Sequence, residues 1–175
     1  SYYLEGMTTR DKMDYRDAEF YKENNVKLVL GVTVDKIDAA SGKVWGGGKE
    51  YSYDKLLMAT GSSPVVPPTP GYEKVKNKFT FIKLDDALDI EKATDGSSRV
   101  LIIGAGLTGL KAAEGLHGRV GSITVVDMAD RVLPAVTDAE SSAMVRAYLE
   151  NKGIEFHLSD HVEKYEDGFA VLASG

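Results

Sequence analysis

The sequence has no cysteine, which excludes disulfides, thiolate zinc sites and a redox dithiol carried by these residues. Proline is scarce too. Four of the 5 prolines, Pro64, Pro67, Pro68 and Pro70, fall in the single segment GSSPVVPPTPG. That segment can be neither helix nor central strand, so it is expected to cross the surface as extended chain. Long apolar runs are missing: Leu56 to Ala59 and Leu101 to Ile103 are far shorter than the ~20 residues of a membrane helix. Nothing resembles a signal peptide, and the expectation is a cytoplasmic protein that binds no membrane. Basic charge is in deficit, with 21 Lys and Arg against 27 Asp and Glu and a net charge of −6 at pH 7. No nucleic-acid partner is expected on that balance. The three histidines, His117, His157 and His161, have no carboxylates placed to complete a ligand set, and no metal is expected. The chain opens on Ser1 rather than Met and reads as an internal piece of something longer.

What is present is an ordinary globular composition, 43% hydrophobic and 27% charged. A chain of this length buries roughly 70% of its unfolded surface, so a real core is expected. Before the Pro-rich segment, RDAEFYKENN reads as a helix. In VKLVLGVTVDKI, Val26, Leu28 and Leu30 alternate as a strand does. The turn DAASG and the tract Gly46 to Gly48 bracket KVW, and YSYDKLLMAT follows as a strand, with Leu56 to Ala59 continuously apolar as in a buried one.

After the Pro-rich segment, Leu84, Ala87 and Leu88 share one face of a short helix, and the element types then alternate regularly. Val100 to Ile103 is a strand, Leu107 to Leu116 a helix, SITVVD a strand, DAESSAMVRAYLENK a helix and IEFHL a strand. This order predicts an α/β fold with a Rossmann-like parallel sheet and right-handed crossovers. In the second helix Thr137 and Glu140 suit a capping box, Met144, Val145, Tyr148 and Leu149 form an apolar stripe, and Gly153 suits the position after the helix. KYEDGFAVL reads as a hairpin turning at Asp167 and Gly168.

The glycines of RVLIIGAGLTGLKAAEGL follow the first of these strands at the spacing GxGxxG. Gly104 suits a tight turn, Gly106 lets backbone approach a pyrophosphate, and Gly109 lets helix and strand pack closely. The N–H groups near Leu107 and Thr108, with the positive end of the helix dipole, supply an anion site without a basic side chain. The second strand ends in Asp127, where a carboxylate accepts hydrogen bonds from both ribose hydroxyls and repels a 2′-phosphate, which favours NADH over NADPH. Arg131 is the nearest arginine that could soften that preference. A tight turn without a ligand, and a solvated strand-end aspartate, are the alternatives that the residues leave open.

Taken together, YDKLLMATGSSPVVPPTPG and VLIIGAGLTGLKAAEGL with ITVVDMADRVLP resemble the pyridine nucleotide-disulfide oxidoreductase superfamily, especially its NADH oxidase, rubredoxin reductase and nitrite reductase flavoprotein branch. The resemblance covers nearly the whole chain. It implies that residues 1–98 are part of an FAD-binding domain with the Pro-rich crossing, a partial β-meander and strand, and that 99–175 are a truncated NAD-binding Rossmann domain. It implies FAD contacts at Thr60 and Gly61, in the strand ending Ala59-Thr60-Gly61, and at Val34 beside the adenine. The implied cofactors are FAD and NAD, and the implied reaction passes hydride from NADH to flavin and electrons on to an unidentified acceptor. The family's first GxGxxG has no match here. Lys111 stands where many members carry a glutamate near the nicotinamide, which makes disulfide reduction a less natural outcome than delivery to another acceptor. No catalytic residue is assigned, and a homodimer of the parent protein is left open. The reading that competes with a flavoprotein is an isolated dinucleotide-binding module without catalytic activity.

Overall fold

The computed structural model describes residues 2–175. Contacts group the chain into two compact units, Met13–Ser62 and Ser1–Lys12 with Ser63–Gly175. These units are a division by contact and differ from the boundary at 98 and 99 that the resemblance implies.

The smaller unit begins with helix α1, Ala18–Glu23, whose first turn is closed by Asp17 accepting from the Phe20 N–H at 2.8 Å. Strands β1 (Val34–Asp38), β2 (Lys43–Gly46) and β3 (Lys49–Ser52) form an antiparallel meander in that order. The turn between β1 and β2 is held by the Asp38 carboxylate, which accepts from the N–H groups of Ala40 and Ser41.

Two expected strands do not form. Val26 to Leu30 and Leu56 to Ala59 lie outside any ladder. Their apolar side chains are open to solvent, with Leu30 81% and Leu57 86% exposed. The cause is pairing rather than propensity: a strand exists only where a neighbour satisfies its backbone groups, and neither stretch pairs with β1 or β3, the edges of the meander.

The larger unit is built on a parallel sheet of β4 (Arg99–Ile103), β5 (Ser122–Asp127) and β6 (Ile154–Leu158), in sequential order. Helix α3 (Leu107–Leu116) joins β4 to β5, and α4 (Ala139–Glu150) joins β5 to β6. Because the order does not reverse, right-handed crossovers place both helices on one face of the sheet. The central strand β5 buries Val125 and Val126 completely, and Leu110, Ala113 and Leu116 of α3 and Leu149 of α4 close over the sheet. Each such aliphatic side chain contributes about 1.5–3 kcal/mol when fully buried.

Helix α2 (Leu84–Ala93) precedes the sheet, with Ala87 and Ile90 buried. Asp86 accepts from the N–H groups of Ile82 and Lys83, at 2.7 and 3.0 Å, so the cap residue and the residue before it are both tied to the first turn. Glu91 on the same helix takes a 2.7 Å bond from Arg119, whose other terminal nitrogen donates to the Leu4 carbonyl. Leu4, 1% exposed, is thereby fixed in the core.

Helix α4 departs from expectation at its start and along its stripe. The cap is Asp138, which accepts from the Ser141 N–H at 2.8 Å, while Thr137 donates its hydroxyl to the Leu133 carbonyl. A carboxylate one residue nearer the helix is the better placed acceptor, and no Thr137–Glu140 box is made. Of the stripe, Leu149 is buried but Met144 and Tyr148 are 69% and 56% exposed. These two side chains line a groove against α3 instead.

Strands β7 (Val162–Glu166) and β8 (Phe169–Leu172) form a hairpin whose turn residues Asp167 and Gly168 both have positive φ, 51° and 82°, as a two-residue type I′ turn requires. The Tyr165 N–H in β7 donates to the Pro70 carbonyl at 2.8 Å, which anchors the end of the Pro-rich segment. Among the described residues no helix is long and apolar enough to cross a membrane.

Candidate functional site

Strand β4 delivers the chain into Gly104, where φ is 109°, a conformation that a residue with a Cβ adopts only under strain. The Gly104 N–H donates to the Val126 carbonyl at 2.8 Å, so the turn begins while still tied to β5. Gly106 then caps α3 with extended backbone and no side-chain bond. A Cβ at Gly104 or Gly106 would find nothing within 4 Å, whereas a Cβ at Gly109 would overlap the Gly104 carbonyl oxygen. The glycines therefore do two different things. Gly109 is required by the protein's own packing, and Gly106 keeps open a space that no protein atom fills.

Leu107 and Thr108 form the exposed first turn of α3. Their N–H groups have no intrahelical acceptor, and together with the positive end of the helix dipole they present an anion with donors.

Asp127 ends β5 half-buried beside this turn. Its Oδ2 accepts from the Ala105 N–H at 2.6 Å and its Oδ1 from the Ala129 N–H at 2.7 Å. A carboxylate oxygen has two lone-pair sites, so each keeps one free for a hydroxyl donor. The structure thus brings Gly104, Gly106, Leu107, Thr108, Gly109 and Asp127 to the carboxyl ends of adjacent parallel strands, where open α/β sheets bind ligands.

A buried support behind them was not legible in the sequence. The Ala105 carbonyl accepts from the Leu133 N–H at 2.9 Å, and Leu133 adopts a positive φ of 52°. Such a conformation in a branched, buried residue is strained and persists only where its surroundings over-determine it. Here the Leu133 carbonyl also receives the Val136 and Thr137 N–H groups, while buried Ser142 donates to the Val132 carbonyl at 2.6 Å. The only advance signal is the compact spelling DRVLP, which does not specify these partners.

Two basic side chains lie near. Arg131 donates to Asp130 and to the Pro134 carbonyl, both at 3.4 Å. Lys111 makes a 2.6 Å ion pair with Glu114 one turn along α3, and that bond raises the lysine's pKa above its usual value. An open groove of about 340 Å³ runs between α3 and α4, lined by Leu107, Leu110, Met144 and Tyr148 with Lys111 and Glu114.

In the smaller unit, Val34 begins β1, 53% exposed, opposite Gly46. Thr60 and Gly61 lie in irregular, exposed chain; Gly61 has φ 75°, and a Cβ there would meet nothing within 4 Å. The structure builds no enclosing wall of this unit around Thr60 and Gly61.

The family model for pyridine nucleotide-disulphide oxidoreductases matches residues 3–172. The chain belongs to this family. It is 34% identical over 172 residues to an NADH oxidase of Methanocaldococcus jannaschii, covering 93% of this chain and 38% of that protein. It is 29% identical over 158 residues to a rubredoxin-NAD(+) reductase of Pseudomonas putida, covering 90% of this chain and 41% of the relative. Among solved structures, the covalent putidaredoxin reductase–putidaredoxin complex superposes with a TM-score of 0.84 at 26% identity, over 100% of this chain and 44% of that one. The chain thus spans less than half the length of these relatives. FAD and NAD are the cofactors of the family. The open space at Gly106 and the free lone pairs of Asp127 fit the pyrophosphate and ribose of NAD.

Proposed function

We propose that the chain is the NADH-docking portion, with part of the flavin-binding portion, of an FAD-dependent NADH oxidoreductase of the cytoplasm. The observation that carries this reading is the pairing of an unfilled space at Gly106 with a strand-end carboxylate, 2.6 Å from the backbone of the same turn. When bound, the two cofactors supply hydride transfer from the nicotinamide to the flavin and onward electron transfer to an acceptor. The chain's own residues bind and orient. The N–H groups of Leu107 and Thr108 hold the pyrophosphate, Gly106 admits it, and Asp127 accepts from the ribose diol. Val34, Thr60 and Gly61 contribute contacts to FAD. The same carboxylate disfavours a 2′-phosphate, and Arg131 is engaged with Asp130 and Pro134, so NADH is the preferred nucleotide.

The competing reading, a dinucleotide-binding module without turnover, draws on the open setting of Thr60 and Gly61 and describes the chain by itself. The test is to titrate NADH by calorimetry and to follow its consumption with FAD and an artificial electron acceptor. Binding of NADH without turnover is expected for this chain, and turnover in the longer protein that contains it. Absence of NADH binding in both, with the fold intact, would refute the assignment.

A further inference from the structure

Resting on the reading of Gly104 to Gly109 as a nucleotide turn, we infer that Asp127 is also the positioning residue of that turn, setting its shape before any nucleotide arrives. The glycine turn is tied to β5 and to the segment that follows it by three hydrogen bonds. Gly104 N–H meets the Val126 carbonyl, the Ala105 carbonyl meets the Leu133 N–H, and the Ala105 N–H meets Asp127 Oδ2. Only the third contact is made by a side chain. Ala105 is fully buried, so its N–H cannot turn to water when that acceptor is removed. Asp127 is in turn held from both sides. Its second oxygen accepts from Ala129, and its carbonyl accepts from the N–H of Asp160, a buried residue fixed by Ser174 at 2.6 Å. The carboxylate therefore sits on a rigid support and reaches from β5 across to the residue between the first two glycines.

This assigns one side chain two separable duties. The lone pairs facing the turn hold Ala105, and the remaining ones face the ribose. A residue that served the ribose alone would need no contact with Ala105. The arrangement couples the two halves of the site: whatever moves Asp127 moves the pyrophosphate turn as well.

The deciding measurement is amide hydrogen exchange at Ala105 in the nucleotide-free protein, read by NMR for Asp127→Ala and Asp127→Asn, with the β4 amides as an internal reference for folding. Exchange at Ala105 relative to β4 is expected to rise about tenfold or more in Asp127→Ala, the factor for loss of one hydrogen bond to a charged group. Asn keeps one acceptor oxygen, so Asp127→Asn should lie between that variant and the parent. Inorganic pyrophosphate, which has no ribose, serves as the second probe. Removing a negative charge should tighten an anion, yet a disordered turn should weaken it, and weaker pyrophosphate binding by Asp127→Ala is expected. Unchanged Ala105 exchange in both variants, with equal or tighter pyrophosphate binding, would overturn the inference. If the parent protein binds neither pyrophosphate nor NADH, the nucleotide reading fails, and the exchange result still decides the positioning role.

Discussion

The glycines of the turn make opposite predictions although they are spelled alike. Gly106 has negative φ and extended backbone, and its missing Cβ would touch nothing. Gly106→Ala is therefore expected to leave the melting temperature nearly unchanged while weakening NADH about tenfold, because the methyl enters the space that the proposed function gives to the pyrophosphate. At Gly109 the methyl would meet the Gly104 carbonyl oxygen, so α3 must move away from the turn. Gly109→Ala should cost about 1–3 kcal/mol of stability, the usual range for overpacking, and shift binding only as a consequence. Thermal melts and calorimetry on both variants check this, and a Gly106→Ala protein that binds NADH like the parent would contradict the open-space reading. The close helix–strand packing at Gly109 was legible from strand–glycine–helix order. The Ala105–Asp127 bond was not, because it joins residues 22 apart in sequence through a backbone donor that any residue type supplies.

At the scale of elements, short polar links join helix and hairpin to their neighbours. Ser142, 1% exposed, donates to the Val132 carbonyl and ties α4 to the segment after β5. Ser142→Ala leaves that carbonyl unpaired in the core, and an unfolding cost of about 1–3 kcal/mol is expected, measured by denaturant titration. A cost near zero would mean that the carbonyl finds another donor. Asp160 plays the same part between β6 and β7. The Ser174 hydroxyl, foremost, and the backbone N–H groups of His161 and Ser174 hold its carboxyl below the ordinary value. A depressed folded-state pKa contributes stability that is present above the unfolded value of about 3.9 and is lost as pH falls through the folded one. Asp160→Asn should therefore lower the melting temperature at pH 7, with the difference from the parent shrinking below about pH 4. An equal difference at both pH values would assign the effect to geometry rather than charge.

The elements themselves divide along a physical line. The parallel strands and both crossover helices were legible because each carries its own periodicity and its partners lie within the same stretch of sequence. Val26 to Leu30 and Leu56 to Ala59 carry strand patterns just as clear, yet no strand pairs with them, and alternation cannot report a partner. The cap of α4 was misplaced by one residue because Thr137 and Asp138 are both good acceptors, and only the backbone path decides between them.

For the whole molecule, the net charge of −6 matters for how an anionic nucleotide arrives. On the proposed function the turn holds the nucleotide through N–H groups and a helix dipole, while the summed field opposes approach. Raising ionic strength from low salt to about 0.15 M should leave NADH affinity unchanged or improve it, since screening acts first on the long-range repulsion. A steep loss with salt would instead point to a contact between the nucleotide and a basic side chain. Flavin presents the reverse case. On the proposed function Val34, Thr60 and Gly61 supply at most a few contacts, each worth about 1 kcal/mol net, against the roughly 8 kcal/mol of micromolar affinity. The chain by itself is expected to purify colourless and to show no NADH turnover beyond that of free flavin. The measurement that bears most directly on the account is a calorimetric titration of the parent chain and Asp127→Ala with NADH and with NADPH. The parent should bind NADH in preference to NADPH, and the variant should bind NADH at least about tenfold more weakly and lose that preference, as expected if one carboxylate both accepts from the ribose diol and repels the 2′-phosphate. Equal NADH affinity in parent and variant would contradict it.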